Sequence, residues 1–241
     1  MNHSRGHSRR QRHKVSCDLG DLETRDEVGA DQVAYYRARA PWYDDAYTSR
    51  GDYDQGPTLN AQWRADLAAI EALMSRANLR GDCVELGAGT GYWTERLVDR
   101  ADRVWAVDAV AEVLTAARER LGERAAKVQF DVVDLWRWNP ERIWDCAVAC
   151  FFFEHVPDEV LPGLLQTLHA SLRPGGPVFL AEGAAVEAEP QVETREIGGR
   201  TFRVVERRRS GDELTEAFAA AGFTVEIAHV SQYVCLTGMR N

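Results

Sequence analysis

From residue 59 to residue 77 apolar side chains recur at helical spacing, with Leu59, Trp63, Leu67, Ile70 and Leu73 on one side. That period predicts an amphipathic helix. Beyond it short apolar runs alternate with longer mixed segments. The runs 83–86, 104–107, 128–133, 144–151 and 178–180 read as strands. Segments 92–100, 111–121, 158–172 and 212–221 read as helices, the third ended by Arg173-Pro174-Gly175-Gly176 and the last by Gly222. Two neighbouring strands, 223–228 and 233–236, close the chain. Such alternation predicts an α/β fold, a mostly parallel sheet with helices on both faces. In that architecture ligands bind beyond the carboxyl ends of the strands. Upstream, Val33 and Tyr36 predict a short helix from Asp31. A break at Pro41 and a further turn carry Trp42 and Tyr43, reaching about Tyr47. Residues 183–210 interrupt the rhythm. Gly198-Gly199 and the basic, β-branched stretch from Arg200 to Arg209 predict an inserted hairpin over the site.

The chain of 241 residues is 45% hydrophobic, enough for one large α/β domain. Its net charge of −9 argues against nucleic acid as a substrate. The charge is uneven: Arg5, Arg9, Arg10, Arg12 and Lys14 stand in a start without acids. Residues 1–30 are expected to be a disordered basic leader and a polar linker, with the domain at 31–241. The leader reads either as an arm for nucleic acid or membrane or, by the usual behaviour of like-charge runs, as a solvated segment. It lacks the apolar core of a secretory signal, and no apolar run could span a bilayer. Cys17, Cys83, Cys146, Cys150 and Cys235 form no CxxC pair, so neither a zinc site nor a disulfide framework is indicated. Free thiols suit a reducing cytoplasm.

Chemistry gathers at the predicted strand ends. The first strand runs into Glu85-Leu86-Gly87-Ala88-Gly89-Thr90-Gly91 and then a helix. Glycines there permit positive φ and close approach of backbone to a ligand. The dinucleotide pattern would want a small residue where Tyr92 stands, and the phosphate-loop pattern is absent, so a pyrophosphate is disfavoured. Asp108, ending the second strand, can accept both hydroxyls of a ribose. Asp134, after the third, can accept from an adenine amino group, with Leu135 or Trp136 against the ring. Glu85 is placed to meet an ammonium, directly or through water. Each acid alone could simply cap a turn or helix. In succession they suit a ligand with an adenosine and an amino-acid tail but no phosphates.

The segments VELGAGTGYWT, AVDAVAEVL, FDVVDLW, WDCAVACFFFEHVPD and LHASLRPGGPVFLAE resemble the successive motifs of class I S-adenosylmethionine-dependent methyltransferases. The resemblance covers about residues 31–241. It implies S-adenosylmethionine as cofactor and a Rossmann-like seven-stranded sheet whose last strand runs antiparallel. YYRARAPWYD further resembles a bacterial small-molecule subgroup with YYRARAxxYD before the fold, one member of which O-methylates a phosphonate. By that resemblance residues 31–58 form a helical lid, with Tyr36, Arg39 or Tyr43 near the methionine end of the cofactor. Aromatic packing of a surface helix is the alternative. The subgroup's WLxHVP-like segment is replaced here by Phe152-Phe153-Glu154-His155-Val156-Pro157, an acid entering beside the histidine.

Methyl transfer from a sulfonium is an in-line displacement that requires no metal, and a hydroxyl acceptor gains from a nearby base. Of the histidines within the fold, His155 follows the fourth strand and is the candidate base or orienting donor; it could instead fix the loop before Pro157. Glu154 and Glu182 are candidate substrate contacts, as are Arg200 and Arg203 for an anionic group. Arg207, Arg208 and Arg209 read as a solvated charge run. Trp93 could wall the cofactor or belong to the core. The leading reading is O-methylation of a small metabolite in specialised metabolism, with N-methylation of an amine behind it. An oxidoreductase, a non-catalytic binding module and an RNA methyltransferase are further alternatives. No nucleic-acid or membrane partner is expected, and the protein is expected to be a monomer or homodimer.

Overall fold

A computed structural model describes residues 13–15, 19, 21–185 and 191–241. The rest of the expected leader lies outside the described residues, as do residues 186–190 of the insertion. The chain folds in the order β1 (His13–Val15), α1 (Leu22–Arg39), α2 (Asp45–Thr48), α3 (Pro57–Met74), β2 (Asp82–Leu86), α4 (Thr94–Leu97) and β3 (Arg103–Asp108). Next come α5 (Ala111–Leu121), β4 (Val128–Val132), β5 (Cys146–Cys150), α6 (Leu161–Ala170) and β6 (Pro177–Gly183). The chain ends with β7 (Val192–Ile197), β8 (Arg200–Val205), α7 (Gly211–Ala220), β9 (Phe223–Val230) and β10 (Tyr233–Arg240).

Seven strands form the main sheet in the order β4-β3-β2-β5-β6-β10-β9. All run parallel except β10, which pairs antiparallel with both β6 and β9. Central strand β5 is buried at every position, which is why Cys146–Cys150 is an unbroken apolar run rather than an alternating one. Alternate residues feed two apolar layers. Val84 and Leu86 face α6 and α7 through Leu164, Leu165, Leu168 and Phe218. Cys83 and Val148 face α3, α4 and α5 through Ile70, Met74, Leu97 and Leu114. Chain order reverses on either side of β2, so the crevice at its carboxyl end lies at the topological switch point.

Hairpin β7–β8 forms a second, three-stranded antiparallel sheet with β1. Helix α1 lies on it. Val28 packs with Leu19, Val192 and Val205, and Tyr35 with Phe202 and Val204. Here the structure corrects the linker expected at 15–30, because the helix already starts at Leu22, capped by Asp21, which accepts from Thr24 N at 2.8 Å. Few apolar residues mark those first turns, and packing on the hairpin rather than periodicity stabilises them. The helix expected over 92–100 contracts to the single turn α4.

The charge run is corrected as well. Arg209 is 4% exposed. It donates to Phe153 O at 2.7 Å, Val156 O at 2.8 Å and Asp158 Oδ1 at 2.7 Å. Arg207 is held by Asp158 and Glu213, and Arg208 by Glu206. These arginines tie the end of the hairpin to the loop after β5. Cys83, Cys146, Cys150 and Cys235 are free and buried. No described helix is long and apolar enough to cross a membrane.

Candidate active site

The turn after β2 is shaped by its glycines. Gly87, Gly89 and Gly91 all have positive φ. A Cβ on Gly87 would meet the Phe152 ring at 2.6 Å, and one on Gly91 would meet Ala117 of α5 at 2.9 Å. Gly87 therefore keeps space beside the loop after β5, whereas Gly91 lets the turn pack against a helix. Asp108 ends β3 opposite this turn. Its Oδ2 accepts from Gly89 N at 2.9 Å and its Oδ1 from Val110 N at 3.0 Å. Burial raises this carboxyl to about 6, opposed by those same amides.

Asp108 opens into a cavity of about 1020 Å³ at the switch point. Gly87, Val110, Asp134, Leu135, Trp136 and Phe152 are among its lining residues. Asp134 does cap the turn that follows, its Oδ1 accepting from Trp136 N at 3.0 Å, and its side chain still reaches the cavity. A second cavity of about 440 Å³ lies under the hairpin and α3. Tyr36, Tyr43, Phe151 and His155 line both cavities and form their common wall. Phe151 holds a φ of 56°, a left-handed conformation rare for a bulky residue, at the point where β5 meets this wall.

His155 is locked from both sides. Its Nδ1 lies 2.8 Å from Val205 O, an acceptor, so Nδ1 carries the proton and donates. Its Nε2 then accepts from the Tyr36 hydroxyl at 2.7 Å. Burial pulls this imidazole down to about 4, with Glu206 opposing and Arg195 assisting, so the ring is neutral at physiological pH. Glu154 lines the second cavity. Burial, then the nearby Glu206 and Glu182 carboxylates, raise its carboxyl well above the usual range.

Other expected site residues lie elsewhere. Glu182 is not a substrate contact: it is 2% exposed, and its oxygens accept from the amides of Phe152, Phe153 and Glu154, shaping the loop from below. Arg203 fastens β8 to α1, donating to Asp31 at 2.6 Å and Glu27 at 3.3 Å. Arg200 rests on the Phe202 ring, at the exposed end of the hairpin. Neither lines a cavity: alternation along β8 turns Arg203 away from the inward Phe202 and Val204, whereas Arg200 shares their face but stands at the exposed start of the strand. Trp93 is core, 3% exposed. Glu85 lies buried beneath the glycine turn, where it accepts from the Thr94 hydroxyl at 2.6 Å. Burial lifts it to about 8, and it does not open onto the larger cavity. Arg39 lines the second cavity with its guanidinium over the rings of Tyr43 and Tyr53.

Sequence reasoning missed Phe151, Arg195, Glu206 and the rings of Tyr47, Trp63 and Tyr233, all of which line the second cavity. The helical period over 59–77 placed Trp63 on the apolar side of a helix and gave no sign of a cavity.

A model of the methyltransferase domain matches residues 58–227. A protein named as an uncharacterised methyltransferase of Geobacillus thermodenitrificans is 30% identical over 196 residues, spanning 76% of this chain and 88% of the relative. Among solved structures, the DhpI–SAH complex superposes with a TM-score of 0.75 at 32% identity, covering 88% of this chain and 97% of that one. A 1,6-didemethyltoxoflavin-N1-methyltransferase of Burkholderia thailandensis shares the fold, with a TM-score of 0.66 at 21% identity over 97% of this chain and 96% of that one. By the extent of these matches the chain belongs to the S-adenosylmethionine-dependent methyltransferases, and S-adenosylmethionine is its cofactor.

Proposed function

We propose that the protein transfers a methyl group from S-adenosylmethionine to a small molecule seated in the second cavity, in specialised metabolism. The observation that carries this reading is the wall of Tyr36, Tyr43, Phe151 and His155 common to both cavities. A donor in one and an acceptor in the other can meet only there. In the larger cavity the free lone pairs of Asp108 suit the two ribose hydroxyls. The second oxygen of Asp134 suits the adenine amino group, and Val110 and Leu135 suit the faces of the base. Tyr43, in the wall common to both cavities, suits the methionine tail, with the Arg39 guanidinium over its ring, and residues 31–58 serve as the lid. When bound, the cofactor supplies a methyl carbon already activated by its sulfonium, so the protein's task is alignment and exclusion of water.

For a hydroxyl acceptor, the route for the proton runs through Tyr36. The acceptor O–H donates to the Tyr36 oxygen while the Tyr36 hydroxyl passes its own proton to His155 Nε2. His155 acts here as the proton's destination, held in the right tautomer by Val205 O. N-methylation is the second reading, favoured by the carboxylate of Glu154 in the second cavity. Calorimetric titration with S-adenosylhomocysteine, followed by transfer of a labelled methyl group to low-molecular-weight acceptors, tests the proposal. Absence of nucleoside binding by the purified chain refutes it.

A further inference from the structure

The second cavity holds an unmet demand. Glu154 is 12% exposed at its side chain. Among the described residues no donor lies within hydrogen-bond distance of its carboxylate. The nearest cationic nitrogens are Arg208 Nε and His155 Nε2, each 3.8 Å away, and this His155 is neutral. A largely buried carboxylate whose ion pair with Arg208 is stretched to 3.8 Å is costly. Two neighbouring carboxylates, Glu206 and Glu182, sharpen the demand, because like charges favour either protonation of Glu154 or the arrival of a cation.

The cavity's own cations are engaged mainly with other groups: Arg39 lies over the Tyr43 and Tyr53 rings, and Arg208 reaches Glu154 only at 3.8 Å. Arg195 pairs with Glu206 at 2.5 Å and Glu193 at 3.4 Å. Arg208 pairs with Glu206 at 3.1 Å. Glu154, His155 and Glu206 offer ligand atoms within 4.8 Å of one another, as a metal site would. With Glu206 already taken by two guanidinium groups, however, Glu154 is the member of this trio with charge to offer, which suits a single positive charge. The remaining walls are aromatic. Trp63 lies 5.2 Å from Tyr233 and 6.0 Å from Phe151, ring centre to ring centre, and Phe151 lies 5.7 Å from Tyr233. Trp63 spends its N–H on Ala46 O at 2.8 Å. Aromatic rings beside an acid form the surroundings that recognise organic cations.

We propose that the methyl acceptor is an amine, bound as its ammonium form with Glu154 as counter-ion and Trp63, Phe151 and Tyr233 as walls. This deepens the second reading above and rests on the methyltransferase reading as a whole. An alcohol could donate to Glu154 but brings no charge to offset it. The ammonium gives one proton to Glu154 and becomes a neutral amine. The nitrogen lone pair then forms the bond to the methyl carbon as the carbon–sulfur bond breaks and its electron pair stays on sulfur. The product is the N-methylated ammonium, and Glu154 returns its proton to solvent.

The test uses the full chain loaded with S-adenosylhomocysteine, and the probes 2-phenylethylamine, 2-phenylethanol and phenylacetate. The amine is expected to bind at least about tenfold more tightly than either analogue, and Glu154→Gln to weaken it by about 30-fold or more. Affinity of that variant for S-adenosylhomocysteine should stay within about twofold, since Glu154 lines the second cavity only. Glu154→Asp, which keeps the charge, should recover part of the binding and guards against a folding artefact in the amide variant. Preference for the alcohol or the acid, failure to bind the amine, or amine binding that survives in Glu154→Gln overturns the proposal; survival would mark a protonated, donating Glu154. Loss of S-adenosylhomocysteine binding by the unaltered protein would instead sink the methyltransferase reading beneath it.

Discussion

Asp108→Ala isolates the contact proposed above to hold the cofactor's ribose. Each carboxylate oxygen of Asp108 already accepts one backbone amide, Gly89 at one side and Val110 at the other, and each keeps a lone pair toward the larger cavity. Two ribose hydroxyls meeting a charged acceptor are worth about 1.5–3 kcal/mol apiece. Alanine forfeits both, so affinity should fall by about 3–6 kcal/mol, on the order of 10² to 10⁴-fold. Asparagine retains one oxygen and no charge, so its loss should lie between those of wild type and alanine. Protonation supplies an independent check. Burial holds Asp108 at about 6, so it is ionised at neutral pH and accepts both hydroxyls there. Affinity for S-adenosylhomocysteine should be flat above about pH 7 and fall by about tenfold per unit below pH 6. Calorimetric titration of wild type and both variants across pH 5 to 8 reads all three effects. Binding by Asp108→Ala within about fivefold of wild type would refute the ribose assignment.

Tyr36→Phe and His155→Ala should each lower turnover on a hydroxyl acceptor by about 10²-fold or more while S-adenosylhomocysteine affinity stays nearly unchanged. Because the two groups form one hydrogen-bonded pair, the double variant should be little worse than either single one; additive losses would separate them. Glu85 should make the cofactor-free protein lose stability as pH rises. Its folded carboxyl is raised from 4.5 to about 8, so the neutral form it favours is lost with increasing pH, up to about pH 8. His155 works in the opposite direction only between about pH 4 and 6.5, and the buried thiols add to the slope only as pH nears 9, so thermal melts from pH 6.5 to 8 report chiefly on the carboxyls, and Glu85→Gln should flatten that slope. Arg209→Met should destabilise by about 3–5 kcal/mol, because it leaves two buried carbonyls and part of Asp158 without a donor. A denaturant midpoint close to wild type would return Arg209 to the solvated face.

The parallel sheet and the proposed cofactor end of the site were legible along the chain because both are written locally. A strand buried on two faces is an apolar run, as in Cys146–Cys150, and a glycine turn between strand and helix declares its backbone needs in sequence. Asp108, Asp134 and Leu135 then follow at strand ends, and all three line the cavity. The proposed acceptor end was not legible. Its walls come from α1, α3, the loop after β5, the hairpin and β10, so residues far apart in the chain meet only after folding. Charge alone misled there: Arg203 and Arg209, alike in sequence, became a clasp on α1 and a buried brace, while Arg195 entered the cavity. The chain by itself determined the succession of strands and helices and the candidate acids at the strand ends, because neighbouring residues and their periodicity suffice for both; the order of strands in the sheet came from the fold. Tertiary structure decided that both ring nitrogens of His155 are occupied and that Glu154 is left with only a stretched ion pair to Arg208. Those outcomes depend on which carbonyls and hydroxyls long-range packing brings within hydrogen-bond reach.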